Sequence, residues 1–555
     1  MSGPAIVQSD RSVLLEVAHP EFDAARATLA RFAELEKSPE HVHTYRITAV
    51  SLWNAAAAGM PAGEIAAALE TLSRYPVPQA VLADVRDLCA RYGRLRLVAG
   101  EAPDGALELV ADEPALLVEV ARAPGVAALL GERPDAGRAA VAAAARGALK
   151  QALVELGWPV RDEAPFAQGA RLCAALAAGV ELRAYQQDAD AALAAAGAGV
   201  VVLPCGSGKT LVGLAAIARL QCETLIVTSN HASVEQWRRE LAEKTTVPAA
   251  QVGEYSGRRK ELRPITITTY QLLTSRPSRA AGFRHLDLFE RREWGLVIYD
   301  EVHLLPAPIF RATARIQARR RLGLTATLIR EDGAEPLVFT LVGPKCYDTA
   351  WRELEDAGFI AGAECAEIRV PFADDHARMS YALADPRERF RLASSNPSKA
   401  AIVRTLLDRH HGLQALVLAT YVGQLGALAE DLDAPIITGR TPLPERTTLY
   451  DRFRAGELPV LCVSKVANFA LDLPTAALAI QVSGTFGSRQ EEAQRLGRLL
   501  RPKPGENRAW FYTLVTRDTV EQDAAHRRQR FLAEQGYRYT VLGDEDLVCG
   551  QLAGA

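Results

Sequence analysis

Residues 199–220 read GVVVLPCGSGKTLVGLAAIARL, a run of β-branched residues that meets a glycine-rich turn and then an alanine-rich segment with helical apolar spacing. The order is strand, loop, helix. Gly206 and Gly208 let the backbone turn its N–H groups inward around a polyphosphate, Lys209 reaches the β and γ oxygens, and Thr210 offers a hydroxyl to Mg²⁺. Pro204, Cys205 and Ser207 complete this P-loop. The longer GxxxxGK[ST] pattern asks for glycine where the chain has Leu203, so the match is to the shorter GxGKT form.

Downstream, strand-like runs recur between helical segments: TLIVTS at 224–229, PITITTY at 264–270, LVIYDE at 296–301 and RLGLTAT at 321–327. Such alternation predicts a parallel sheet covered by helices. The third run delivers two adjacent carboxylates, Asp300 and Glu301, at its carboxyl end. That is what a Walker B site needs: Asp300 to hold Mg²⁺ through water, Glu301 to polarise the attacking water as general base. Upstream of the P-loop, ELRAYQQDA supplies Arg183 and Gln186, and a Gln amide can read adenine through a paired donor and acceptor.

The bulk properties fit several globular domains. At 555 residues a prior of about 150 per domain gives three or four, and 49% hydrophobic residues suffice for several cores. A net charge of −3 means that a polyanion must be held by local patches, since the whole surface is not basic. The eight cysteines, at 89, 173, 205, 222, 346, 365, 462 and 549, form no CxxC pair, which argues against a disulfide scaffold or a metal cluster. There is neither a leader pattern nor an apolar run long enough to span a bilayer, so a cytoplasmic setting is expected.

The N-terminal region is predicted to be mixed. Residues 3–17 read as a short hairpin. Three helical patterns then run from Thr48 to Gly93, and two strand-like pieces, 94–98 and 106–110, follow. Three helices and a hairpin are winged-helix order, although the third helix carries Asp84 and Asp87 beside Arg86 and Arg91, a mixed face that favours a docking or structural role over DNA reading. An alanine-rich module continues to Val180, with helical patterns near 114–122 and 138–156.

A second strand–helix alternation lies beyond residue 396, in ALVLAT (415–420), APIITG (434–439), PVLCVS (459–464), AALAIQVSG (476–484) and AWFYTLV (509–515). It has no P-loop of its own. Within it, GSRQEEAQRLGRLLRPK places Gln494, Arg495, Arg498 and Arg501 on one segment, with Arg498 and Arg501 on one helical face. A lobe that presents arginines to a nucleotide held by another lobe is an arginine-finger design.

Together these strings resemble the XPB family of superfamily two DNA repair helicases, in its bacterial form. LPCGSGKT resembles the family's motif I, DEVH its motif II, and GLTATLIRED its motif III joined to the Arg330-Glu331-Asp332 (RED) triplet. SKVANFALDLPTA resembles motif V and GSRQEEAQRLGRLLRPK motif VI. The resemblance covers residues 181–555 strongly and the N-terminal region more weakly. It implies two RecA-like lobes with parallel sheets, at 181–345 and 396–555, and a linker or thumb-like insertion at 346–395. Ahead of them it implies an α+β region, with a mainly helical domain at 1–95 and a small α/β module at 96–180 where the family places its damage-recognition domain.

The same resemblance implies roles residue by residue. Lys209, Glu301, Gln494, Arg498 and Arg501 would be catalytic, and His303, Thr325, Thr327 and Arg495 would couple the motor. Asp472 would approach the ribose or the coupling network. Ser229, Thr269, Ser464 and Lys465 would touch the nucleic-acid backbone, while Arg330, Glu331 and Asp332 would serve unwinding. Asn468 departs from the family pattern, which has an acidic residue there. The implied activity is ATP- and Mg²⁺-dependent 3′–5′ DNA unwinding in repair. A duplex translocase without strand separation and a nucleotide-gated scaffold stand as alternatives. The expected partner is DNA at single-strand/duplex junctions, and the chain is expected to be monomeric. Recruitment of a repair nuclease through the N-terminal or thumb-like region is left open.

Overall fold

The strand Gly199–Val202 is buried at every position, and the computed structural model places it inside a seven-stranded parallel sheet. The structure describes the whole chain except residues 1–2, 39–40, 101–106, 205, 277–282, 307–308, 310–312, 314–315, 317–318, 327–334, 350, 465–475, 485–506, 535–536, 538, 545 and 547–555.

The first unit is α+β. Strands β1 (Ala5–Val7), β2 (Ser12–Glu16), β3 (Glu34–Lys37) and β4 (Val42–Arg46) form an antiparallel sheet in the order β1-β2-β4-β3. Helices α1 (Phe22–Ala30), α2 (Ala49–Ala57), α3 (Ala62–Leu72) and α4 (Gln79–Arg91) cover it. Leu15, Tyr45, Leu52, Ile65 and Val81 share one core.

The second unit corrects the winged-helix reading. Strands β5 (Leu95–Ala99) and β6 (Leu107–Ala111) do pair as a hairpin. They belong, however, to a separate sheet in the order β7-β6-β5-β8, with β7 at Arg138–Val141 and β8 at Val160–Asp162. Leu95, Leu97 and Leu109 bury against α5 (Pro114–Val120), α6 (Pro124–Ala127) and α7 (Arg146–Glu155), so their apolar faces go to the second module's core and not to the three helices. The stretch read as one helix from 138 to 156 is β7 followed by α7. Its opening RAAV completes the sheet edge beside β6.

Lobe 1 follows. Helix α8 (Ala184–Ala196) leads into β9 (Gly199–Val202), α9 (Lys209–Leu220), β10 (Thr224–Thr228) and α10 (His231–Lys244). Next come β11 (Val252–Glu254), β12 (Ile265–Thr269), α11 (Tyr270–Leu273), β13 (Leu296–Asp300), β14 (Arg320–Thr325) and β15 (Lys345–Asp348). The sheet order is β11-β12-β10-β13-β14-β9-β15, and every pairing is parallel. All carboxyl ends therefore share one edge, where α/β sheets bind ligands.

Lobe 2 repeats the plan with β16 (Gly362–Val370), β17 (Ala415–Leu418), β18 (Ile436–Ile437), β19 (Val460–Val463), β20 (Leu478–Gln481), β21 (Arg508–Thr516) and β22 (Tyr539–Gly543). Their order is β18-β19-β17-β20-β21-β16-β22, again all parallel. The boundaries differ from expectation on both sides of the proposed insertion. β15 closes the lobe 1 sheet against β9, and β16 lies inside the lobe 2 sheet between β21 and β22. The second lobe thus begins before residue 396. Buried Asn396 opens the helix Lys399–Arg409, its Oδ1 accepting from Ser398 N at 3.2 Å while its Nδ2 donates to Pro371 O at 2.8 Å.

No described helix is long and apolar enough to cross a membrane.

Candidate active site

The P-loop leaves β9 and ends at α9, with Gly206 and Gly208 at φ +80° and +82°. This left-handed region suits glycine. At Gly208 space is also tight, since a Cβ there would meet Gln186 Nε2 at 2.7 Å. Lys209 Nζ donates to Leu203 O at 3.2 Å and Pro204 O at 3.4 Å, which keeps the ammonium beside the loop. Ser207 Oγ donates to Pro204 O at 2.7 Å. Thr210 is half-buried in the first turn of α9. Cys205 lies outside the described residues.

Gln186 packs against the P-loop. Its Oε1 accepts from Arg183 N at 3.0 Å, and its Nε2 donates to Ser207 O at 2.9 Å. Through these bonds, and at 2% exposure, it braces the loop. Tyr185 adds a second brace, its hydroxyl donating to Ser207 O at 2.6 Å. Arg183 turns outward over Phe359, with 5.0 Å from its guanidinium carbon to the ring centroid. The Tyr185 and Phe359 rings lie 5.3 Å apart, so this wall joins lobe 1 to the segment that leads into β16.

β13 carries the acidic pair. Asp300 Oδ2 accepts from Trp237 Nε1 at 3.0 Å, and Asp300 O accepts from the Tyr270 hydroxyl at 2.9 Å. Burial, and then the neighbouring Glu301 carboxylate, raise the Asp300 carboxyl above its usual range. The Trp237 hydrogen bond and the Lys209 charge oppose this. Glu301 itself sits at φ +54°, unusual for a residue with a side chain, and caps the short turn Val302–Leu304. Backbone strain of this kind costs about 1–3 kcal/mol and collects at functional sites. Beyond it, His303 Nδ1 lies 2.6 Å from Thr325 Oγ1 and 3.5 Å from Glu301 Oε2, joining the ends of β13 and β14.

Of the expected strand contacts, Ser229 and Thr269 stand half-buried at the carboxyl ends of β10 and β12. Ser229 Oγ accepts from Asn230 Nδ2 at 2.9 Å. Thr269 caps α11 through Leu272 N at 3.2 Å. Ser464 ends β19 and is buried, 6% exposed, with its N–H on Ile437 O. Thr327, Arg330, Glu331, Asp332, Lys465, Asp472, Gln494, Arg495, Arg498 and Arg501 lie outside the described residues. Sequence reasoning passed over Tyr185, Trp237 and Tyr270. A tryptophan within the charged helix HASVEQWRRELAEK and a tyrosine directly after Thr269 were the available signals.

Comparison with known proteins agrees with this geometry. The family model described as ERCC3/RAD25/XPB C-terminal helicase matches residues 354–549. A type III restriction enzyme res-subunit model matches 179–330, and one for a helicase conserved C-terminal domain matches 5–135. The chain is 53% identical to "DNA 3′-5′ helicase XPB" of Mycobacterium tuberculosis, over 98% of this chain and 99% of the relative. It is 54% identical to the protein of that name from Kineococcus radiotolerans, over 98% and 97%. To "Putative DNA 3′-5′ helicase Rad25" of Halobacterium salinarum it is 40% identical, over 93% and 83%. Two parallel sheets of helicase-lobe type, a P-loop facing a carboxylate pair, and this identity along nearly the whole length lead to one conclusion: the chain belongs to the XPB family of DNA helicases.

Proposed function

We propose that the chain is an ATP-driven DNA helicase of 3′–5′ polarity acting in DNA repair. The observation that carries this reading is the shared edge of the lobe 1 sheet. The P-loop, Asp300 with Glu301, and the strand-contact candidates Ser229 and Thr269 all leave carboxyl ends of its parallel strands.

In this reading the P-loop N–H groups and Lys209 bind the β and γ phosphates. The half-buried Asp300 carboxylate beside Glu301, with the Thr210 hydroxyl, forms a set of hard oxygen donors of the kind Mg²⁺ takes together with phosphate oxygens and water, so these residues fit that ion. Bound there, Mg²⁺ supplies neutralising charge to the phosphate oxygens. Glu301 accepts the proton of the attacking water. Arg498 and Arg501, supplied by the lobe 2 sequence together with Gln494, stabilise charge at the γ phosphate. His303 and Thr325, already in contact, relay the state of the site to the lobe edge. Lobe closure over the nucleotide then moves one lobe against the other along the strand. The two N-terminal units serve as docking or lesion-sensing domains, and the protein works as a monomer.

ATPase and strand-separation assays on 3′-tailed, 5′-tailed, forked and blunt duplexes test the reading. DNA-stimulated hydrolysis with unwinding of 3′-tailed and forked substrates is expected. Hydrolysis stimulated by duplex without any separation would shift the activity to translocation, and no stimulation by DNA would refute it.

A further inference from the structure

The lobe 1 sheet edge continues one strand past Thr269. In the order β10, β12, β11, the carboxyl ends carry Ser229, then Thr269, then the loop YSGRRKELR at 255–263. Neighbouring strands stand about 4.8 Å apart, so these positions form an uninterrupted row. Tyr255 N donates to Ile267 O and Thr268 Oγ1 donates to Tyr255 O, each at 2.9 Å, which sews the loop directly beside Thr269.

The loop is tightly built. Ser256 N donates to Arg259 O at 2.7 Å, and Ser256 Oγ accepts from Arg258 N and Arg259 N, both at 3.2 Å. Such a turn holds Arg258, Arg259 and Lys260 exposed on its outer side. Beneath them Tyr255, 4% exposed, gathers further cations. Lys260 Nζ stands 4.4 Å from the ring centroid and the Arg291 guanidinium 5.5 Å from it. Arg291 Nη1 donates to the Tyr255 hydroxyl at 3.2 Å, and His285 Nδ1 lies 3.2 Å from the same hydroxyl.

The local charge is one-sided. Asp287 is bridged to Arg291 at 2.8 Å, and Glu261 follows Lys260 in the chain. Among the described residues Arg258, Arg259, Lys260 and Arg284 form no ion pair. Burial and the Arg291 charge lower the Lys260 ammonium. Burial, and then Lys260, lower His285, with Arg291 and Arg284 acting the same way and only Asp287 opposing. A chain of net charge −3 thus concentrates cations at one end of the row it is read to use for DNA.

We propose that the β11–β12 loop is a further contact for the phosphodiester backbone of DNA, prolonging the row of Ser229 and Thr269 outward by one strand; this rests on the strand-tracking reading above. Arg258, Arg259 and Lys260 meet phosphate oxygens. The Tyr255 ring, whose hydroxyl accepts from Arg291, holds Lys260 in place. Such contacts set register and affinity without reading sequence.

Salt-dependent binding by the full chain tests the proposal, with a single strand in one arm and a blunt duplex in the other. Each lost phosphate contact lowers the slope of log K against log salt by about 0.7 on a single strand and about 0.9 on duplex. The Arg258→Gln/Arg259→Gln variant, confined to exposed side chains, should lose about 1.5 in slope on whichever arm the loop engages, and the triple variant with Lys260→Gln about 2 or more. Lys244→Gln, which removes a charge on α10 paired with Glu240, serves as control and should keep the wild-type slope. Loss on one arm names the bound form, and loss on both assigns the loop to the junction. Unchanged slopes in both arms, or an equal fall in the control, would overturn the proposal while leaving the helicase reading intact. A wild-type chain that binds neither DNA would instead fail the helicase reading itself.

Discussion

The indole of Trp237 donates to the carboxylate of Asp300 at 3.0 Å, across 63 residues of sequence. Trp237 lies on α10, whose N-cap Asn230 accepts from Ser233 N at 3.1 Å and donates to Ser229 Oγ. One helix therefore connects a strand-contact candidate to the carboxylate proposed to face the phosphates. The ring is fully buried against α9, where a Cβ on Gly213 would meet Trp237 Cη2 at 2.5 Å, so glycine is what lets the indole reach Asp300.

Trp237→Phe keeps an aromatic ring in that notch and removes the N–H. A hydrogen bond to a charged group contributes about 1.5–3 kcal/mol. If the bond orients Asp300 in the active state, hydrolysis should fall roughly tenfold to a hundredfold. The Mg²⁺ concentration for half-maximal rate should rise, while nucleotide affinity without metal stays near wild type. An unchanged Mg²⁺ dependence would show that the bond does not serve the site.

Glu301→Gln should leave ATP binding nearly intact and lower hydrolysis by orders of magnitude, because phosphate contacts survive while the base is lost. Lys209→Ala should weaken binding itself. Nucleotide titration and single-turnover hydrolysis separate the two effects. Normal hydrolysis by Glu301→Gln would remove the base assignment.

In the second module, Asp162 takes a two-pronged contact from Arg146, at 2.7 and 3.1 Å, and a third from Lys150 at 2.9 Å. Burial alone would raise its carboxyl, but the Lys150 charge and the Arg146 fork bring it down from 3.8 to about 2. Because the folded value is the lower one, the stabilisation, roughly 2 kcal/mol, is present above the unfolded pKa and lost as pH falls toward 2. Asp162→Asn should lower the urea midpoint at pH 7, where two buried cations lose their counter-charge. Its deficit should narrow between pH 4 and 2. A deficit constant over that range would contradict the assignment.

Arg330, Glu331 and Asp332 lie outside the described residues, and the unwinding role proposed for them rests on the family resemblance alone. Replacing all three by Ala should reduce unwinding of a forked duplex at least several-fold with little change in nucleotide affinity. Equal losses of unwinding and of DNA-free hydrolysis would place the triplet in motor coupling.

The local signals were sufficient for the motor's landmarks. Gly206 and Gly208 announce a left-handed turn from residue type alone, and a β-branched run before them and a helical period after them need no distant partner to be recognised. Asp300 and Glu301 were legible for the same reason, at the end of an apolar strand, as were ten of the fourteen strands of the two lobes, while β11, β15, β16 and β22 were not. Pairing was not legible. Strands β5 and β6 were seen as a hairpin, yet which core they covered depended on β7 and β8, and β16 joined lobe 2 through partners more than a hundred residues away. The Gln186 amide could not be assigned from sequence either, because only the folded loop brings Ser207 O to it. Trp237 and Tyr270 converge on Asp300 because a parallel sheet gathers the ends of distant strands along one edge, and hydrogen bonds form between whatever groups that edge assembles. Residue type and local period decided where the chemistry lies; long-range burial decided which side chains orient it.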